Sequence, residues 1–431
     1  MSRRSFIPKL YLAALAATVA LGALPVALNL AIDPYDRLGG LPLGLAKKKI
    51  SEKAHYPLWK IIAHSRKRPP ETIVLGDSRA RALRDKYWNE LGLKGAFNFA
   101  YGGATIYEIH ETFRYLKTQP KPKNLVVGIQ LRSFDPAHKS GMNRVPEAIR
   151  LAGNPLKYFS SWFVTRVSWR HMQAKYPRQL AAFRSLAPSF ISTAKAADLG
   201  SPGRTSLSTL LQPDICFGCR LPELKERTAY PTYGHGRGYA YGFGHEAGLW
   251  HDISIDRDLP ARFEKQVRKN GKSDWKSFRF SEDLWAKIAE IADWSKANDV
   301  KLVFVIPPTI VEMQARLAEF GRADLDRRLR LRLADLAPVI DLDFDNPFTR
   351  DLANFKDAYH FNASAARNIV GEVGQLLTAS PEVRKFALKV RSGLACPTGA
   401  QDISRELNDG IISVTEGTNC RIWRRSNGPA R

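Results

Sequence analysis

Apolar positions along this chain follow three different patterns. From Leu10 to Ile32 they are almost continuous, and "LYLAALAATVALGALPVALNLAI" holds no charge. At about 1.5 Å per residue, a helical run of this kind spans a hydrocarbon core of roughly 30 Å. The apolar part of a cleavable signal peptide is shorter, roughly 7–15 residues, and no clean small-x-small site ends this run. Residues 1–33 are therefore read as a transmembrane signal anchor, with a cleaved signal as the alternative. Either reading sends the rest of the chain across a membrane. Arg3, Arg4 and Lys9 favour a cytoplasmic N-terminus, while Lys47, Lys48 and Lys49 lie further from the apolar run.

A second pattern begins at Thr72. Short apolar runs ("TIVLG", "AFNFA", "NLVVGIQL", "VKLVFVIPP" and "APVIDLD") predict five buried parallel strands. Amphipathic stretches alternate with them. Leu83, Tyr87 and Leu91 have helical spacing, as do Ile106, Ile109, Phe113 and Leu116. Ser281 is placed to cap a helix carrying Leu284, Ile288, Ile291 and Ser295 on one side, and "NASAARNIVGEVGQLL" reads as the last helix. Alternation of strand and helix predicts a doubly wound, three-layer α/β/α domain over residues 71–136 and 281–380.

Elsewhere neither period holds. Residues 34–70 are Gly/Pro-rich and then basic, and read as a juxtamembrane linker whose lysines can rest on anionic head groups. Residues 137–280 read as an insertion or cap with some helices and long loops. It includes "YPTYGHGRGYAYGFGHEAGLWHD", with His235, His245 and His251, where His245, His251 and neighbouring acids offer a metal site as the alternative to a plain glycine-aromatic, sugar-stacking loop. The loop is the preferred reading, and no metal or cofactor is expected. Residues 381–431 read as a basic tail.

Composition sharpens this picture in two respects. The 431 residues carry a net charge of +24, which calls for an anionic partner: nucleic acid, a membrane surface or an acidic polymer. Export past a membrane removes nucleic acid and leaves the other two. Four cysteines, an even number in an exported chain, predict disulfides, Cys216 with Cys219 and Cys396 with Cys420. The C-x-x-C lacks the βαβ surroundings of a thioredoxin-like redox pair.

Chemistry enters where the first strand stops, at Gly76-Asp77-Ser78. A serine there is either a helix N-cap or a nucleophile held exposed on a strand-to-helix turn. A serine hydroxyl needs a base, and the base an orienting group. "FKDAYHFNASA" supplies both after the last strand, with Asp357 three residues before His360. Both segments fall on the carboxyl edge of the sheet, where open α/β proteins place their sites.

With these two blocks the chain resembles the SGNH (GDSL-like) hydrolase superfamily over its α/β portion. The resemblance implies Ser78 as nucleophile, His360 as base and Asp357 as orienting acid. It implies an oxyanion-binding glycine in "NFAYGGAT", Gly103 or alternatively Gly102. The family's Gly-x-Asn block is replaced by "LVVGIQLRSFD", so Arg132, or Gln130 nearby, stands in for the oxyanion asparagine. Arg79 follows the serine instead of leucine. The anchor and the "IDPYDR" segment resemble a membrane-anchored subgroup that includes the alginate O-acetyltransferase proteins and the D-alanine-transfer protein of teichoic acid synthesis.

That likeness implies a single-pass protein of the bacterial inner membrane with its bulk in the periplasm. It would move an acyl group, acetyl first among them, onto an anionic or envelope polysaccharide, beside a multi-pass membrane O-acyltransferase. An esterase using the same residues and a non-catalytic glycan-binding scaffold are the alternatives. The acyl donor and the acceptor polymer are not legible in the residues.

Overall fold

The apolar runs form one sheet in the computed structural model, which describes residues 6–39, 48–93, 95–180, 257–378 and 421–423. Strands β1 (Thr72–Leu75), β2 (Ala96–Asn98), β3 (Asn124–Gly128), β4 (Lys301–Ile306) and β5 (Val339–Asp341) lie parallel in the order β2-β1-β3-β4-β5. Val74 pairs with Val126 and Val126 with Val303, so one row of valines runs across β1, β3 and β4. Helices cover both faces, which is why the strands read as unbroken apolar runs and not as alternation. On one face, Val74, Val126, Val303 and Val305 pack with Trp88, Ile369, Val370 and Val373 from helices Asp85–Glu90 and Ala363–Thr378. Helices Ile106–Lys117 and Glu282–Ala297 pack together elsewhere in the same layer structure, with the Phe113 and Trp294 rings edge-on at 5.3 Å.

Local chemistry sets the helix ends. Thr105 and Glu108 form a reciprocal capping box, and Ser281 Oγ accepts the N–H of Leu284 as expected. Ile106, Ile109, Phe113, Leu116, Leu284, Ile288, Ile291 and Ser295 are all buried. The stretch with Leu83, Tyr87 and Leu91 departs from expectation. A 3₁₀ turn, Ala80–Ala82, precedes the helix Asp85–Glu90, and extended Arg84 separates them. The helical period is therefore broken, Leu83 and Tyr87 are buried, and Leu91 is exposed.

Three further expectations change. Residues 34–70 are not simply a linker, since Lys48–Ala54 and Tyr56–Ser65 are helices. Leu58, Ile61 and Ile62 of the second are buried at helical spacing, a signal hidden behind the lysine run. Strands β6 (Phe355–Asp357) and β7 (His360–Phe361) form a small antiparallel pair around the Asp-x-x-His turn. The tail adds β8 (Arg421–Trp423), antiparallel on β5, so the sheet has a sixth strand at its edge. The four cysteines and His235, His245 and His251 lie outside the described residues.

The chain divides into two compact units, and all the strands belong to the one made of residues 51–158 and 235–431. The other, residues 1–50 and 159–234, contains helices Phe6–Ile32 and Trp162–Lys175. Asn29 joins these two helices. Its buried Nδ2 donates to Phe159 O at 2.7 Å and to Thr165 Oγ1 at 2.9 Å, and its Oδ1 accepts from Ser168 Oγ at 2.9 Å. Phe6–Ile32 of the residues read as an anchor are helical, but among the described residues no helix is long and apolar enough to cross a membrane. The membrane span thus has no support from the structure beyond that helical conformation.

Two buried features predict stability effects. Arg330, 3% exposed, donates to fully buried Asp341 Oδ2 at 2.7 Å and to Asp343 O at 3.0 Å. Asp326 also pairs with this guanidinium, so Asp341→Ala removes one of two buried counter-charges and is expected to cost about 1–3 kcal/mol, read by denaturation of the full chain. Burial, with Arg144 near His55 and Lys67 near His64, lowers both histidines to about 4. His55 Nδ1 accepts the N–H of Leu58 at 3.1 Å, a bond that protonation abolishes. The unfolded chain binds these protons at about pH 6.5, so stability is full above that value and falls as pH drops from there toward 4. The melting temperature should be lower at pH 5 than at pH 7, and His64→Phe should flatten part of the slope.

Candidate active site

The nucleophile turn is shaped by glycine. Gly76 sits at φ +138°, and a Cβ there would lie 2.6 Å from Ala80 Cβ and 2.7 Å from Gly128 O. The chain leaves β1 close against the end of β3 and turns into Asp77-Ser78. Asp77 performs the local capping: its Oδ1 accepts the N–H of Arg79 at 2.9 Å, and its Oδ2 accepts Gln130 Nε2 at 3.0 Å. Burial raises the cost of its charge, but the Arg79 guanidinium and N–H, with His360 and Lys139, hold the carboxyl below its ordinary value. Buried Arg79 also donates to Pro307 O, just past β4, at 3.2 Å. These bonds tie the turn to three strand ends.

Ser78 is thereby freed from capping. Its Oγ lies 2.8 Å from His360 Nε2, and His360 Nδ1 lies 2.8 Å from Asp357 Oδ1. With Nδ1–H donating to the carboxylate, Nε2 is left to accept the serine proton. The β6–β7 turn imposes this arrangement, since Asp357 Oδ1 also accepts the N–H groups of Tyr359 at 3.1 Å and His360 at 3.0 Å. Asp357 is 2% exposed, and Arg262 donates to its other oxygen at 3.0 Å. Burial would push this carboxyl up, but the His360 hydrogen bond and charge, the Tyr359 N–H and Arg262 hold it below its usual value.

Gly103 takes φ +66°, the left-handed conformation glycine tolerates. Among the described residues the N–H groups of Ser78 and Gly103 have no acceptor. Unpaired N–H groups of this kind are what an oxyanion needs. Lys139 donates from Nζ to Gly103 O at 2.6 Å and itself has φ +54°, an uncommon conformation for a side-chain-bearing residue. Gly102 instead packs on the Tyr56 ring, where a Cβ would meet Cε2 at 2.7 Å. Gln130 is committed to Asp77. Arg132 lies in the turn Leu131–Phe134 after β3, half-buried, and lines a cavity with Gln130 and Tyr359. Burial, then the charges of Arg132 and Lys139, lower His138 to about 4, so this flank is electropositive without His138.

All three expected triad members therefore meet. Sequence reasoning missed Lys139, Arg262 and the anchoring role of Asp77. The Gly-Asp-Ser motif displayed Asp77, but Arg262 comes from helix Ala261–Trp275 and carried no local signal. No group of three or more histidine, cysteine or acidic side chains is arranged for a metal among the described residues.

No family model, curated protein or solved structure matches the chain. The geometry around Ser78 carries the functional argument alone.

Proposed function

We propose that this chain is a serine acyltransferase of the bacterial envelope, similar in mechanism to SGNH enzymes, that esterifies a polysaccharide. The observation that carries the reading is the continuous relay from Ser78 Oγ through His360 to Asp357, with steps of 2.8 Å each. Ser78 Oγ attacks the donor's acyl carbon while its proton passes to His360 Nε2. The N–H groups of Ser78 and Gly103 face the oxyanion that develops, and Lys139 adds positive charge nearby. The bond from acyl carbon to leaving group then breaks, and the leaving group takes the proton from His360. An acceptor hydroxyl gives its proton to His360 and attacks the acyl-serine. The serine–acyl bond breaks, and Ser78 recovers the proton. Asp357 keeps the imidazole in the required tautomer and stabilises its charged form.

The net charge of +24 favours an anionic envelope polymer as acceptor. The apolar run Leu10–Ile32 favours attachment to the inner membrane, with the catalytic unit on the periplasmic side. A multi-pass acyltransferase is the proposed source of the acyl group. Hydrolysis is the second reading, favoured by a His360 side chain 20% exposed: water that reaches the acyl-serine competes with the sugar.

The test is incubation of the full-length protein with p-nitrophenyl acetate, followed by intact and peptide mass spectrometry. A +42 Da acetyl group on Ser78 is the outcome expected from the chemistry. Its transfer to added glycan separates transferase from esterase. A folded protein that takes no acetyl group at any pH between about 6 and 9 overturns the enzyme reading.

A further inference from the structure

Cations grip the segment that follows β2. Tyr101 N–H donates to Gly76 O at 3.0 Å, so this segment runs beside the nucleophile turn. Gly103 comes two residues later. Its own carbonyl accepts from Lys139 Nζ at 2.6 Å, and the carbonyl before it, Gly102 O, accepts from Arg144 Nη2 at 3.3 Å. A Cβ on Gly103 would fall on Lys139 Nζ, so glycine is needed to admit the ammonium as well as for its φ of +66°. Thr105 Oγ1 donates to Met142 O at 2.7 Å and ties the loop carrying both cations to the same segment.

Arg144 is itself held. The Glu108 side chain is fully buried, and its Oε1 accepts Arg144 Nε at 2.6 Å and the Arg144 backbone N–H at 3.1 Å. Its Oε2 accepts Arg144 Nη2 at 3.0 Å. Nη2 carries two hydrogens, so one serves Glu108 and the second is left for Gly102 O. A guanidinium pinned in a carboxylate fork presents that second hydrogen in a fixed direction.

Gly102 O and the Gly103 N–H belong to one peptide group. In a trans peptide they project from opposite edges of one plane, so a hydrogen bond that fixes the oxygen also fixes the N–H. A cationic donor on the oxygen draws charge out of the amide and makes its N–H the stronger donor. That N–H has no acceptor among the described residues. We infer that Arg144 is a positioning residue of the oxyanion site, which orients and polarises the Gly103 N–H through Gly102 O. The inference rests on the acyltransferase reading of Ser78 and adds to that site a residue that acts through the backbone.

Two full-length variants with wild-type circular dichroism test it. Arg144→Met would strand the buried Glu108 carboxylate, so it is paired with Glu108→Gln, which keeps a residue suited to its capping box. Arg144→Lys keeps the charge, but one ammonium cannot hold Glu108 in a fork and reach Gly102 O together. With p-nitrophenyl acetate, the maximal rate of Ser78 acetylation should fall roughly 10-fold in the paired variant, short of the roughly 100-fold or more for deleting an oxyanion donor. The half-saturating ester concentration should not change. Affinity for methylboronic acid, whose adduct on Ser78 is a tetrahedral anion, should fall in step with the rate. Arg144→Lys should show a smaller loss in the same two parameters. Wild-type rates in the folded variants, or a loss seen only in half-saturation, overturn the inference and leave the acyltransferase reading standing. A wild-type protein that takes neither acetyl nor boronate on Ser78 overturns that reading and the inference with it. Nuclear magnetic resonance reads the contact directly. Glycine labelled with ¹³C at its carbonyl and with ¹⁵N gives coupled signals only at Gly-Gly pairs, here Gly39-Gly40 and Gly102-Gly103. Loss of the Arg144 bond should move the Gly102 carbonyl and Gly103 nitrogen signals upfield, and unmoved signals overturn the inference whether or not Ser78 reacts.

Discussion

The full-length protein carrying Ser78→Ala is expected to take no acetyl group from p-nitrophenyl acetate and to lose roughly 10⁴–10⁶-fold in ester cleavage. The size of the effect follows from the geometry. The Ser78 hydroxyl lies 2.8 Å from His360 Nε2. Without it, water must attack directly, helped only by the remaining base and the N–H groups of the oxyanion site. His360→Ala should fall nearly as far, because an unassisted serine hydroxyl is a weak nucleophile at neutral pH. The two losses should not add in the double variant, since the residues act as one unit. p-Nitrophenolate release and intact mass, read on protein with an unchanged circular dichroism spectrum, decide the matter. An adduct that survives Ser78→Ala would place the nucleophile elsewhere.

Asp357→Asn should cost about 10⁴-fold in the same assay while keeping the fold. The amide has the carboxylate's size, so the buried turn between β6 and β7 can keep its shape. It can present N–H to His360 Nδ1, however, which moves the imidazole proton to Nε2. A protonated Nε2 cannot take the serine proton, so the relay stops one bond from the nucleophile. A fall of only a few fold would mean that Asp357 serves the turn and not the chemistry. The wild-type carboxyl is held below its ordinary value, so its contribution to stability is complete above about pH 4 and disappears as pH falls further. The Asn variant should lack that acid-side loss in melting temperature.

The strands were legible because a parallel sheet covered on both faces leaves runs such as "TIVLG" and "VKLVFVIPP" with no polar position to obscure them. Helix Glu282–Ala297 was legible from its Ser281 cap and its buried stripe. Tyr56–Ser65 was not, because three lysines ahead of it dominate the composition of the segment. β8 was missed because three residues recruited to a sheet edge carry no period of their own.

Catalytic groups divide along the same line. Gly76, Asp77 and Ser78 are contiguous, and Asp357 and His360 belong to one turn, so both halves of the relay could be read from local motifs. That Ser78 pairs with a histidine 282 residues away, and does not cap a helix, needed the sheet to bring the ends of β1 and the β6–β7 turn together. Arg262 and Lys139 could be assigned only in three dimensions. Each reaches a residue distant along the chain, Asp357 and Gly103, and nothing in the residues around either names its partner. Short-range patterning determined the strands, the turn chemistry and the candidates for nucleophile, base and acid. Tertiary structure decided the oxyanion flank and the second partner of the acid, because those depend on which strand ends are neighbours, and that order is set by packing across the whole sheet.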